Sequence, residues 1–137
     1  MSRENVEVVR EAFDLTARRD SSVFDAYDAE VEMDFSASPF ADFMTTSPRL
    51  QGLGEVRRRF RDWYEAFEDV ESDLDELLDA GEHVVVVFTY RGRGRASGAE
   101  VEWKHMAGLW TFREGKVVRV AWLRTREAAL EAAGMRE

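Results

Sequence analysis

Asp34 and Arg124 are the side chains of this chain best placed to do chemistry. Asp34 sits in an alternating run in which Val31, Met33 and Phe35 are apolar and Glu32, Asp34 and Ser36 polar. A carboxylate lodged among aromatic rings has a raised pKa and can serve as a general base. Strict alternation points Asp34 away from the apolar side, to bond loop amides or Arg124, whereas a bulge before Ser36 would reverse it. The run by itself leaves both open. Arg124 follows the apolar run Val117 to Leu123. Counted from the turn at Gly115-Lys116, period 2 carries Val118, Val120, Trp122 and Arg124 to the inner side. A guanidinium is always charged and binds carboxylates or enolates bidentately. Buried, it needs an anion beside it, which is either Asp34 or an acidic ligand.

Aromatic residues supply the other half of a site. Trp63 and Trp110 are suited to stacking on a flat ring, Tyr64 and Tyr90 add hydroxyls if they face inward, and Trp122 shares the strand of Arg124. The same residues on helical or strand spacing also read as ordinary core. Metal chemistry has little support, because the chain has no cysteine and only two histidines, His83 and His105, with no tidy carboxylate set. No GxSxG, P-loop or strand-linked GxGxxG is present, so no nucleotide or other cofactor is expected. Arg91, Arg93 and Arg95 alternate with Gly92 and Gly94, which puts three cations on one side of a strand. They read either as an anion stripe or as a solvated face opposite acidic neighbours.

The chain of 137 residues fits a single domain, 1–137, with enough length for a true core. Its net charge of −9 argues against nucleic acid, which needs a basic face. The N-terminus enters a charged amphipathic segment and no stretch approaches a membrane span, so a cytoplasmic protein is expected.

Elements that would position these residues can be traced in order. Val6, Val9, Phe13 and Ala17 form a helical stripe over Glu4 to Arg19, and Asp20-Ser21-Ser22 can cap a short helix from Val23 to Asp28. A half-buried strand around Val31 precedes Ser36 to Gly52, a long loop that reads as a lid or rim. Val56, Phe60, Trp63, Tyr64 and Phe67 make the stripe of a helix over Gly54 to Phe67, with Arg57, Arg58, Arg59 and Arg61 on much of the other side. Strands follow at Val70 to Leu78, His83 to Arg95, Glu100 to Arg113 and Lys116 to Leu123, with Gly92, Gly94 and Gly108 as candidate bends. Thr125 can cap a last helix, Arg126 to Ala133, closed by Gly134. The expectation is an α+β fold with helices packed on one face of a curved antiparallel sheet.

Several segments then carry a resemblance. Asn5-Val-Glu-Val-Val-Arg with Ala12-Phe13, the Val31 to Pro39 stretch, Gly54-Glu-Val-Arg-Arg-Arg-Phe and Asp79-Ala-Gly-Glu occur in order. Arg91-Gly-Arg-Gly-Arg-Ala-Ser-Gly, Trp110-Thr-Phe-Arg-Glu-Gly-Lys-Val and Glu127 to Gly134 follow. Together they resemble the SnoaL-like branch of the NTF2-like (cystatin-like) superfamily over essentially the whole chain. The resemblance implies a cone-shaped α+β barrel with a pocket at its open end, and commonly a homodimer through the outer sheet face. It also allows the catalytic positions to be tested. Similar epoxide hydrolases carry a carboxylate where Trp122 stands. Ketosteroid isomerases place a protonated Asp, and SnoaL-like relatives often a His, where Gly108 stands. The isomerase base falls beside Met33 or Asp34. His105 is either a shifted base, if a bulge turns it inward, or an outer-face residue.

Two functions therefore stand side by side. One is a domain that binds a small hydrophobic or aromatic ligand through Trp63, Tyr64, Tyr90, Trp110, Trp122 and Arg124, its catalytic positions largely vacant. The other is a cofactor-independent isomerase, cyclase or hydrolase of a polyketide-, steroid- or terpenoid-like substrate, with Asp34 and Arg124 as catalytic candidates. For self-association, Ala107, Leu109, Thr111 and His105 are the outer-face residues small or apolar enough to pair. Neither metal nor cofactor, nucleic acid nor membrane belongs to either reading.

Overall fold

Two helices lie in the hollow of one six-stranded sheet, and a third helix packs on its back. The computed structural model describes residues 2–44 and 46–135. In chain order these form α1 (Ser2–Ala17), a 3₁₀ turn (Ser21–Ala26), β1 (Tyr27–Asp34), a second 3₁₀ turn (Pro39–Phe43) and β2 (Arg49–Gln51). Then come α2 (Leu53–Ala66), β3 (Phe67–Ala80), β4 (His83–Gly94), β5 (Glu100–Arg113), β6 (Lys116–Leu123) and α3 (Arg126–Ala132). The strand order is β2-β1-β6-β5-β4-β3. The α+β class stands, with one refinement: β1 pairs with β6 in parallel, so the sheet is mixed.

Local chemistry explains most boundaries. Asp20 ends the α1 segment by accepting from Ser22 N–H at 3.0 Å, which starts the first 3₁₀ turn. Thr125 accepts from Ala128 N–H at 3.1 Å at the start of α3, and Gly134 leaves it with φ +77°. The long segment expected as a loop is partly regular. Ser38, fully buried, accepts from Phe40 N–H and donates to Phe35 C=O, so Phe40 is turned down into the core. The short strand β2, which the sequence reading missed, zips Arg49–Gln51 to β1.

Two irregularities reset the parity of the sheet. Opposite Thr89, β5 carries an extra residue and His105 adopts φ +56°. Trp103 and Met106, three apart, consequently both pack on the core. In β6, the pairing with β5 skips Val118. Val117 and Val120 are therefore both fully buried, and the expectation that Val118 faces inward is corrected.

The helices do not all share one face. Val9 and Ala12 of α1 and Val56 of α2 are buried in the main core with Val84, Val86, Phe88, Trp110 and Val120. On the other face Ala129 and Leu130 of α3 pack on Val85, Ala107 and Leu109. Inward and outward residues of β4 and β5 are thus both buried, which is why Val84 to Val87 reads as an unbroken apolar run. Among the described residues no helix is long and apolar enough to cross a membrane.

Candidate ligand-binding site

A cavity of about 160 Å³ lies between the two inner helices and the concave sheet. Phe13 and Thr16 of α1, Phe60, Trp63 and Tyr64 of α2, Phe88 and Tyr90 of β4, Trp110 of β5 and Trp122 of β6 all line it. Phe35, Phe40 and Met44, from the segment after β1, add to the wall. The rings brace one another edge to face. Trp110 and Trp122 stand 6.0 Å apart at 89°, Phe88 and Trp122 5.5 Å apart at 75°, and Phe40 and Trp63 5.1 Å apart at 87°. Phe35 instead stacks on Trp122, tilted by 23°.

Few polar atoms interrupt this wall. Trp63 Nε1–H donates to Tyr90 Oη at 2.5 Å. Burial pushes the Tyr90 hydroxyl up to about 12, against the lowering effect of the Trp63 donor. Burial also raises Tyr27 and Tyr64. The indole Nε1 atoms of Trp110 and Trp122 are buried with no hydrogen-bond partner. An unpaired buried donor costs about 1–3 kcal/mol, so each is a cost that a ligand acceptor would relieve.

Arg59 is the residue that sequence reasoning missed. Its Nη2 donates to Thr46 Oγ1 at 2.6 Å and to Ser47 C=O at 3.3 Å. Its Nη1 is buried without a partner, and the residue lines the cavity. The signal was present. Arg59 lies three residues after Val56 and four before Trp63, within the apolar stripe of α2, although it was grouped with the solvent-facing arginines.

Trp63, Tyr64, Tyr90, Trp110 and Trp122 all border the cavity, whereas Asp34 and Arg124 do not. Convergence of Asp34 and Arg124 on one pocket, which would favour the enzyme, is not seen at this cavity. Asp34 obeys strict alternation: Met33 is fully buried, so its neighbour turns to the other side. There Asp34 accepts from Ser36 N–H at 2.8 Å and Ser36 Oγ–H at 2.6 Å, with Arg119 at 3.4 Å and Arg49 at 3.7 Å. Burial raises its carboxyl pKa, but the Ser36 donors and the two guanidinium groups outweigh it and hold it below the usual value. Arg124 falls beyond the end of β6, on the rim. Its side chain is 55 % exposed, 3.6 Å from Asp42 and 3.5 Å from Ser38 C=O.

His105 shows a similar limit. The bulge that would have turned it inward exists, but it turns Trp103 inward instead, and the imidazole stays outside, 3.3 Å from Asp75. Gly108 is covered by its cross-strand neighbour: a Cβ there would meet Trp122 Cζ3 at 2.9 Å, Cε3 at 3.0 Å and Val86 Cγ1 at 3.1 Å. Trp122 therefore occupies the space that a donor at position 108 would need. Arg91, Arg93 and Arg95 pair with Asp73, Glu102, Glu68 and Asp69, in keeping with a solvated charged face.

The described cavity wall holds no carboxylate and no imidazole, and among the described residues no cluster of three potential ligands could hold a metal ion. This wall presents aromatic ring faces together with the side chains of Arg19, Arg59, Thr16 and Ser72. On the outer face, α3 buries Ala107 and Leu109, and Thr111 Oγ1 lies 2.9 Å from His83 Nδ1. Of the four residues named for self-association, Ala107 and Leu109 are thus covered by α3, while the His105 side chain stays exposed.

Comparison with known proteins agrees with this architecture. The model of the SnoaL-like domain family matches residues 9–120. An NTF2-like protein of unknown function from Burkholderia pseudomallei superposes with a TM-score of 0.76 at 21 % identity, covering 93 % of this chain and 95 % of its own. TerC, co-crystallised with polyporic acid, gives 0.74 at 17 % identity, covering 96 % and 98 %. A protein with a ketosteroid isomerase-like fold from Catenulispora acidiphila, in complex with trimethylamine, gives 0.71 at 14 % identity, covering 95 % and 94 %. At these identities the likeness shows the fold alone. The search of curated proteins found no match.

Proposed function

This chain belongs to the SnoaL-like domain family, and from that membership we propose that it binds a small aromatic or hydrophobic molecule beneath Trp110 and Trp122. The observation that carries this reading is the ring-lined cavity itself, walled by Trp110 and Trp122, whose buried indole N–H groups have no hydrogen-bond partner. An apolar cavity of about 150 Å³ accepts a benzene-sized guest, and this one is of that order. A ring with one or two oxygen acceptors would fill the space and pair the indoles. No metal or cofactor enters the proposal.

One observation favours a second reading, a cofactor-independent isomerase, cyclase or hydrolase of polyketide-, steroid- or terpenoid-like compounds. Tyr90 Oη accepts from Trp63 and so keeps its own proton to offer a developing oxyanion. TerC, of similar fold, was co-crystallised with polyporic acid. That reading still needs a base, which the described wall does not supply. Ligand binding is therefore the better supported of the two.

Indole emission tests the proposal directly. Benzyl alcohol and larger ring alcohols should shift or quench it saturably, with chelators having no effect. Trp122→Phe and Trp110→Phe keep a ring and remove one N–H each. Either should weaken an acceptor-bearing ligand about fivefold, the worth of one hydrogen bond, while sparing a plain hydrocarbon. No saturable response to any ring compound would refute the reading.

A further inference from the structure

We infer that the ligand is an aromatic acid, a carboxylate or phenolate whose anionic oxygen pairs with Arg59. The inference rests on the ligand-binding reading above and deepens it by specifying the charge of the guest. Three features of Arg59 support it together. Its guanidinium is held in place from one side, Nη2 being tied to Thr46 Oγ1 and Ser47 C=O. Its other terminal nitrogen, Nη1, is buried with no hydrogen-bond partner, and the residue borders the cavity. Among the described residues no carboxylate lies within 4.0 Å of it. Neutral acceptors hold the fork, and no carboxylate among the described residues lies close enough to pair with it.

A partly buried cation without a counter-ion is costly, and arginine cannot lose its proton to escape. An acid brought in by the ligand removes that cost and pairs Nη1 through a charge-assisted hydrogen bond. The surroundings favour the same sign. Arg19 also borders the cavity, its guanidinium 4.9 Å from the centre of the Tyr64 ring. Arg19, Phe60 and Tyr64 are shared with an adjoining groove lined by Arg57, Arg58, Arg61 and Arg95, with Glu65 its one carboxylate among the lining residues. This concentration of positive charge occurs in a chain of net charge −9. Such a focus draws small anions toward the cavity and repels cations. Trp110 and Trp122, deeper in the same cavity, would donate to further oxygens on the ring.

Three probes of one size separate charge from shape: benzoate, benzyl alcohol and benzylammonium, each titrated by indole emission at neutral pH. Benzoate should bind at least about tenfold more tightly than benzyl alcohol, and benzylammonium most weakly. Arg59→Met should abolish the advantage of benzoate and leave benzyl alcohol within about twofold, while Arg59→Lys should retain part of it. Should Arg59→Met fail to fold, the guanidinium NMR signals of wild-type Arg59 carry the test: benzoate shifts them and benzyl alcohol does not. Equal binding of benzoate and benzyl alcohol, an advantage that survives Arg59→Met, or unmoved Arg59 signals would each overturn the inference while leaving ligand binding intact. No response to any of the three would overturn both.

Discussion

Replacing Gly108 by alanine should destabilise the protein chiefly through its contact with Trp122. The added Cβ would lie 2.9 and 3.0 Å from two indole carbons and 3.1 Å from Val86 Cγ1, closer than carbon atoms pack. Trp122 cannot simply retreat, because Phe13, Phe35, Phe88 and Trp110 all contact its ring. Overpacking of this kind costs about 1–3 kcal/mol. Gly108 has no left-handed backbone, so alanine also gains about 0.4–1 kcal/mol by restricting the unfolded chain. The net loss is about 0–2.6 kcal/mol, or a fall in Tm of up to roughly 10 °C for a chain of this size. Calorimetry of four proteins measures it: wild type, Gly108→Ala, Trp122→Leu and the double variant. With Trp122 shortened, the alanine should become neutral within about 0.5 kcal/mol, a coupling of about 1–2 kcal/mol. If Gly108→Ala costs the same with and without Trp122, the close contact is not what keeps glycine here. The result bears on function, because a carboxylate or imidazole at position 108 and the indole at 122 would then exclude each other.

Asp34→Asn should lower stability at neutral pH, and the gap should close on acidification. The folded carboxyl titrates below its ordinary value, so its contribution is present above the unfolded pKa near 4 and is lost as pH falls through the folded one; melting curves of both proteins across acid pH check this. Arg124→Met should change stability by less than about 1 kcal/mol, since the Arg124–Asp42 pair is exposed, and a larger loss in chemical denaturation would place Arg124 elsewhere. All three tyrosines should resist ionisation in the folded protein, because burial raises Tyr27, Tyr64 and Tyr90, the last to about 12. Phenolate absorbance should therefore appear late in an alkaline titration. Their contribution to stability is complete below the unfolded value near 10 and declines as pH rises toward the folded values.

Residue pattern alone was enough for the helices and longer strands, the α+β class and some of the cavity's rings. Helical stripes at Val9 and Val56, the alternation of Val31 and Met33, and the caps at Asp20, Thr125 and Gly134 are local signals, legible wherever 3.6 or 2 residues repeat. The family resemblance rests on the same linear order, and Trp63, Trp110 and Trp122, read as rings, and Tyr64 and Tyr90, read as hydroxyls if inward, all border the cavity. Arg124, Val118 and His105 could not be placed that way. Arg124 lies past the end of β6, where alternation no longer applies, and Val118 and His105 depend on where a strand gains or loses one residue. That register is chosen by cross-strand packing, such as Trp103 and Met106 both reaching the core. The burial of Ala107 and Leu109 beneath α3 likewise depends on where a distant helix lands. Arg59 shows the same division. Its stripe position is written in the sequence, but an uncompensated charge is a statement about every group around it, and only the folded chain brings those groups together.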